Sequence, residues 1–542
     1  MSDKWGAEKR ELAEFSWGVV NGPALPDGPD SLLESHAKKI GHLQNLLSLV
    51  ASLPVAARPP VCEWDDILGP LWRKLFVKGC DIDRYTLAGI WRPVLLDAGE
   101  IDRFLRATTS VAASARNFYH YEEALDCCRE GRAAAEERKS AALAYLINTE
   151  GFIHACMRNY PAAERCFEEA LTMAEVLPEK ELMDWGGLSR SDFIGQEQLN
   201  LLDMNLDVAY RGQAADVSML MPKIRKRLKL LEKWPLSPGL LVVLRQNEAQ
   251  LAVLEEDYGE AKSILGRLYS KPSGTGPYRF SMQAMQCRLL SMTSSRERNW
   301  DAAYYWIRKA LRDSIQKCYP AEELFVLEQA LSVLRGLHGP KSRQDRDELI
   351  RDLVQLMEDK DWYTGRPHSR SVSTLAVKLG RQLQKAVGWE EDLEKIRTAG
   401  LLHDIGKLMM PWSLLNKIAP ITPKERAILA EHASHGGRIL REIGMTDVAE
   451  IVEQHHETMD GTGYPSGLPP GRAAAIVAVC DAYEAMITPN RRYKEPKSSQ
   501  RALAEISDQS GRLYHPDVVQ ALFSTVKDSR AEAREQLGGI SP

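Results

Sequence analysis

No stretch of this chain stays apolar for long. The longest runs, "LLSLVASLPVAA" and "AAAIVAVC", fall well short of the roughly 18 residues that cross a bilayer, so membrane insertion is not expected. The beginning, "MSDKWGAEKRELAEF", is charged and lacks the apolar run of a signal peptide, and the expected location is the cytoplasm. A strong excess of either charge is lacking too. A formal net charge of -5 gives no electrostatic reason to expect a nucleic-acid polymer or an anionic membrane as partner. Nine cysteines, an odd number, include no Cys-x-x-Cys, which argues against a disulfide framework or a zinc knuckle. The adjacent Cys127 and Cys128 read as helix packing. Low-complexity blocks are absent, and 44% hydrophobic with 27% charged residues is ordinary globular composition.

What is present is helical periodicity and a concentration of histidine. At 542 residues the chain exceeds one core, and two to four modules are expected at roughly 100 to 200 residues each. Residues 1–100 read as helical, with proline-rich breaks and no motif. From 101 to 340 the helical pattern is continuous, and a spacing recurs in it. "GFIHACMRNYPAAERCFEEAL" sets Gly151, Ala163, Phe167 and Ala170 where two helices need small residues for close approach and a bulky one to fill the gap between neighbours. "DYGEAKSIL" echoes it with Tyr258, Ala261 and Leu265, and "NWDAAYYWIRKAL" with Trp300, Ala303, Ile307 and Ala310. These segments resemble divergent tetratricopeptide repeats, which implies a stacked solenoid that receives a protein or peptide partner. A plain array of helical hairpins would read almost the same. The basic stretch "KIRKRLKLLEKW", with Ile224, Leu228 and Leu231 on one face, reads as an amphipathic helix of that array.

A polar break at 341–347 reads as a linker, 348–527 as a further module and 528–542 as a tail. Of twelve histidines, seven lie from His368 onward and six of those fall between His368 and His456. In "LLHDIGK", His403 and Asp404 sit in an apolar helix with Lys407 one turn on. Burying that pair is costly unless something neutralises the carboxylate and engages the imidazole, and a divalent metal does both. Any one histidine is more often a hydrogen-bonded structural residue than a ligand. Here, however, candidates accumulate in order: His368, His403 with Asp404, His432, His455 with His456, and Asp481. Mixed nitrogen and oxygen donors suit iron, manganese or similar ions better than calcium.

Taken in order, "HDIGK" at 403–407, "HHE" at 455–457, "DGTGYP" at 460–465, "RRYK" at 491–494 and "GRLYHPDVV" at 511–519 resemble the HD-GYP subgroup of HD-domain metal-dependent phosphohydrolases. The resemblance covers residues 360–526. It implies an all-helical domain with metals held between helices, and together with the tetratricopeptide resemblance the expected fold class is all-α: a helical-repeat solenoid followed by an HD-type helical domain. It also implies two divalent ions, Fe or Mn. One would be held by His368, His403, Asp404 and Asp481, the other by His432, His455 and His456, with Asp404 bridging. Two such ions roughly 3.5 to 4 Å apart lower the pKa of a shared water and stabilise in-line attack on phosphorus.

Asp404 and Lys407 are the implied catalytic residues, with Lys407 offsetting phosphate charge or assisting the leaving group. Arg491, Lys494, Tyr464, Pro465, Gly463 and Asp460 are candidate substrate contacts. In the loop, Gly461, Gly463 and Gly467 read as residues needed for backbone angles closed to others; a loop that only braces the metal helices is the competing reading. His435 reads as solvent-facing and His515 as structural.

The implied activity is hydrolysis of a cyclic dinucleotide, chiefly cyclic di-GMP, to the linear dinucleotide or GMP. Two alternatives stand beside it: a signalling scaffold that binds nucleotide without turnover, and a phosphohydrolase of another cyclic or linear dinucleotide. The sequence departs from the subgroup in several places. The loop after "GYPSGL" is shorter, Ala475-Ile476 stands where Arg-Ile is usual, and Arg491-Arg492-Tyr493 replaces Arg-Pro-Tyr. The turn before His368, Tyr363 to Gly365, lacks the glutamate that supports a third ion in some relatives.

Overall fold

The structure, a computed structural model, describes residues 10, 32–77, 81–117, 120–212, 214–270, 278–316, 320–338, 343–361, 368–410, 412–415, 421–488 and 496–538. Contacts divide the chain into two compact units, Met1–Val333 and Leu334–Pro542. Among the described residues the chain is all-helical, with no strand. None of the described helices is long and apolar enough to cross a membrane.

The helices up to residue 338 are α1 (Leu32–Ser52), α2 (Val61–Val77), α3 (Asp81–Asp97), α4 (Ile101–Asn117), α5 (Tyr121–Arg138), α6 (Ala142–Cys156), α7 (Tyr160–Val176), α8 (Glu179–Gly186), α9 (Arg190–Arg211), α10 (Ala214–Leu231), α11 (Pro238–Leu254), α12 (Tyr258–Ser270), α13 (Tyr278–Arg296), α14 (Trp300–Gln316) and α15 (Pro320–His338). Successive helices pack as hairpins, α6 on α7, α11 on α12 and α13 on α14, and the first helices of neighbouring hairpins also touch, α9 on α11 and α11 on α13. The small residues do what the spacing predicts: Ala163, Phe167, Ala170, Ala261, Ala303, Ile307 and Ala310 are all buried. Ile224, Leu228 and Leu231 are buried as well, while Lys223, Arg225 and Lys226 face solvent, so the basic stretch is the wet side of α10. Cys127 and Cys128 pack inside α5. The unassigned first hundred residues include three described helices whose core stacks Trp64 on Trp91 at 6.2 Å.

From residue 343 onward the helices are α16 (Arg343–Lys360), α17 (His368–Val387), α18 (Leu393–Leu402), α19 (Trp412–Leu415), α20 (Pro423–Ala430), α21 (His432–Glu442), α22 (Thr446–Glu453), α23 (Arg472–Ile487), α24 (Ser499–Asp508) and α25 (Pro516–Gly538), with a 3-10 turn at Ile405–Met409. Residues 343–347, read from sequence as linker, form the start of α16. A charged composition suits the first turn of a helix as well as a loop. The segment from 528, read as a tail, continues α25 as far as Gly538. Helix α17 packs on α18, α23 and α25, while α18 also meets α22, so one buried hub receives residues from well-separated parts of the sequence.

Candidate metal centre

Each histidine of the hub sits at a helix end, where the chain turns and a side chain can point inward. His368 opens α17, His403 caps α18, His432 opens α21, and His455 and His456 follow the end of α22. Asp404 begins the 3-10 turn, and Asp481 lies within α23. Gly406 is what lets this turn approach: a Cβ there would lie 1.8 Å from the carbonyl oxygen of His432.

The donor atoms gather as two trios, His432 with His455 and His456, and His368 with His403 and Asp481, the atoms of each trio lying within 4.8 Å of one another. Asp404 stands between them. Its Oδ1 is 3.4 Å from His432 Nε2 and its Oδ2 is 3.3 Å from His403 Nε2. His368 Nε2 is 3.0 Å from Asp481 Oδ1.

Backbone carbonyls set the histidine tautomers. Nδ1 donates to Gly400 O from His403 at 2.9 Å, to Leu429 O from His432 at 2.6 Å, and to Val452 O from His455 at 2.5 Å. A neutral ring that donates from Nδ1 presents a lone pair at Nε2. The Nε2 atoms of His432 and His455 nevertheless face each other at 3.3 Å, and His403 Nε2 is buried without a hydrogen bond. Lone pairs crowded together out of water are repulsive unless a cation sits among them, so the donor set fits a bound metal.

The charges agree. Burial, helped by the neighbouring His456, pushes His432 down to about 3. Burial also pushes His455 and His456 down, keeping these rings neutral. Burial opposes the charge of His403, but Asp404 and Asp481 outweigh it and raise the group to about 8. Burial would likewise raise Asp404 and Asp481. Lys407 with His403 and His432 outweighs it at Asp404, and His368 with His403 does so at Asp481, so both carboxyls stay well below the usual range.

Lys407 donates to Asp404 Oδ2 at 2.8 Å and to Asp361 Oδ2 at 2.9 Å. These carboxylates overcome the burial that opposes its charge and raise the ammonium above its ordinary value. Asp361 went unnoticed in the sequence because it reads as one more charge at the end of α16. The adjoining Lys360, almost wholly buried, donates to Leu408 O at 2.6 Å and ties α16 to the 3-10 turn.

Tyr464 tilts over His456 with ring centroids 4.9 Å apart, and its peptide bond to the exposed Pro465 is cis. Gly461 and Gly467 have positive φ, as the loop reading requires, whereas Gly463 does not: its place is fixed by close approach, a Cβ there meeting His456 O at 2.5 Å. Glu457 braces the loop by accepting from the backbone N–H groups of Ser466 and Gly467. The Asp460 carboxylate accepts from the Thr462 hydroxyl at 2.6 Å and the Thr458 hydroxyl at 2.7 Å, bonds that hold it down at about 2, and it also meets Arg512 at 3.4 Å. Arg491 and Lys494, with the competing Arg492, lie outside the described residues.

His435 is not solvent-facing as its sequence context predicts. Its side chain is only 12% exposed and its Nε2 lies 3.7 Å from Glu431, because the packed face of α21 extends past His432. His515 accepts from the Asp517 N–H through Nδ1, a structural contact.

A protein-family model described as HD domain matches residues 352–518, the stretch that holds every donor named above. Residues 352–518 are an HD domain. Outside the chain itself, the HD domain's similarity is to curated bacterial enzymes. A cyclic di-GMP phosphodiesterase of Thermotoga maritima is 34% identical over 231 residues, 41% of this chain and 61% of that protein. The cyclic di-GMP phosphodiesterase response regulator RpfG of Xanthomonas campestris pv. campestris is 38% identical over 230 residues, 40% of this chain and 57% of that protein. The 3'3'-cGAMP-specific phosphodiesterase 2 of Vibrio cholerae is 32% identical over 190 residues, 33% of this chain and 35% of that protein. The chain thus spans less than two thirds of each of these relatives.

Proposed function

We propose that the chain is a cytoplasmic, metal-dependent cyclic-dinucleotide phosphodiesterase that opens cyclic di-GMP to the linear dinucleotide or on to GMP. The observation that carries this reading is the pair of donor trios joined through Asp404, with the buried Nε2 of His403 left without a hydrogen bond among them. The names of the relatives support the substrate class. His368, His403, Asp404 and Asp481 would hold one divalent ion and His432, His455 and His456 the other, Fe or Mn by the donor types. Such ions, when bound, supply Lewis acidity toward a phosphodiester and a water acidic enough to attack it.

The protein's own residues prepare that chemistry. The rings of His432, His455 and His456 are neutral and the carboxylates ionised, so at neutral pH these ligands need lose no proton before binding. Lys407, held by Asp361 and Asp404, acts first to keep Asp404 charged and oriented, and its positive charge also favours a phosphate nearby. Tyr464 and the backbone of Gly463 rim the cluster and offer an aromatic face to a base, with Pro465 beside them. Asp460 serves by knotting the loop. Arg491 and Lys494 would take the phosphates. We also infer that the helical array of the first unit docks a protein or peptide, since stacked hairpins present an extended surface.

The test is turnover. Purified protein reconstituted with Mn or Fe is incubated with cyclic di-GMP, 3'3'-cGAMP and the linear dinucleotide. Cyclic di-GMP should be opened, with at least about a 100-fold loss in Asp404→Ala. Tight binding without turnover would make the chain a scaffold, and faster turnover of 3'3'-cGAMP would reassign the substrate.

A further inference from the structure

A second group of metal-ligating side chains lies outside the HD domain. Glu150 and His154 stand one turn apart on α6, on the same face, and Cys166 faces them from α7. The approach of the two helices is set by Gly151: a Cβ there would lie 3.2 Å from the Cβ of Cys166 and 2.7 Å from Phe167 Cε1. One donor atom from each of Glu150, His154 and Cys166 lies within 4.8 Å of the others, with His154 Nε2 and Glu150 Oε1 3.8 Å apart. Arg132 of α5 donates to Glu150 Oε2 at 2.8 Å and to Glu169 Oε1 at 2.9 Å, anchoring one oxygen of Glu150 while Oε1 turns toward the histidine. The Nδ1 of His154 is buried and makes no hydrogen bond. The other ring nitrogen, Nε2, is the one that lies near Glu150, so the imidazole is held in the cluster with a hydrogen-bonding atom still unmet.

We propose that Glu150, His154 and Cys166 form a separate metal site in the helical array, selective for a thiophilic divalent ion of the zinc class. One sulfur, one imidazole nitrogen and one carboxylate oxygen are zinc donors, and three protein donors leave the fourth tetrahedral position for water or another ligand. Bonds of about 2.0 to 2.3 Å require the donors to close by roughly an ångström from their present spacing, within reach of side-chain rotation. On binding, the Cys166 S–H bond breaks, the proton passes to solvent and a sulfur–metal bond forms. The resulting thiolate and carboxylate balance the two positive charges of the ion, while Arg132 remains shared with Glu169.

A reactive-thiol reading of the same cluster fails, because burial and then the Glu150 carboxylate push Cys166 up to about 12, and nucleophilic cysteines are shifted the other way. A coordinating cation reverses that shift, since a metal-bound thiol is deprotonated outright.

The donors of the HD domain's cluster are nitrogen and oxygen, so sulfur ligation distinguishes the two sites. Full-length protein stripped with chelator and titrated with Co(II) should show a thiolate-to-cobalt charge-transfer band in the near ultraviolet. Cys166→Ser should abolish the band while helical circular dichroism and phosphodiesterase turnover are kept. His154→Gln should weaken the transition by roughly 10- to 100-fold in Co(II) concentration, a readout that does not depend on how Cys166→Ser folds. Absence of the band in the wild-type protein, or its persistence in Cys166→Ser, would overturn the proposal.

Discussion

Lys407 is bonded to carboxylates on both sides, and one of them, Asp361, comes from 46 positions upstream. Leaving a buried charge without any partner costs roughly 3–5 kcal/mol, and because Lys407 keeps Asp404 when Asp361 is removed, roughly half of that is expected here. Asp361→Ala is therefore expected to lower the stability of chelator-treated protein by about that reduced amount in denaturant unfolding, although Asp361 is not among the proposed ligands. An unchanged midpoint would mean that the pair is idle. The contrast between these two residues shows what the sequence makes legible. Histidine and aspartate in ordered motifs stand out because their residue types are rare in apolar helices and have few other reasons to be there. Asp361 is one more acid at the end of a charged helix, and only the fold brings it to Lys407. His435 misleads for the converse reason: its position beside glycines looks exposed until the packed face of α21 is seen.

At the scale of the element, the 3-10 turn and the start of α21 are pressed together at Gly406. Gly406→Ala places a methyl group against the His432 carbonyl, so the turn carrying Asp404 must move. Mn(II) affinity measured by titration calorimetry is expected to fall by at least about tenfold; wild-type affinity would show that the turn is not so confined.

Helix α9, in the first unit, offers a pH test. Glu197 is fully buried, and desolvation raises it to about 8 even though Asn148 and Asn200 donate to it. In the unfolded chain a glutamate titrates near 4.3, so between about pH 4.3 and about pH 8 the folded state holds more protons than the unfolded one. Stability due to this group is then lost as pH rises through that window. The melting temperature should fall by several degrees from about pH 5 to about pH 8 relative to Glu197→Gln, which carries no such proton; parallel profiles would refute it. Helix existence and the small-residue contacts of the hairpins were legible from periodicity, because close packing tolerates few residue types. The boundary near residue 341 was not, since a charged helical start and a linker have the same composition.

At the scale of the whole molecule, all seven proposed ligands fall in the unit from Leu334 to Pro542. A fragment of that unit is therefore expected to keep metal binding and cyclic di-GMP hydrolysis within about tenfold of the full chain, with the first unit altering regulation more than chemistry. Loss of all activity in a folded, metal-loaded fragment would show that the first unit completes the site. The all-helical class and the HD domain were readable in advance because several motifs recur in one order. The sulfur, imidazole and carboxylate cluster of α6 and α7 was not, because its donors come from two helices and match no short spacing.

Crystals grown with Mn or Fe test most directly whether divalent cations sit among these side chains. Anomalous diffraction at the metal edge should show peaks beside His432, His455 and His456 and beside His368, His403 and Asp481, with Asp404 between them. The same map from Asp404→Ala should lose at least one peak. A wild-type map with no anomalous density at either trio would contradict the account.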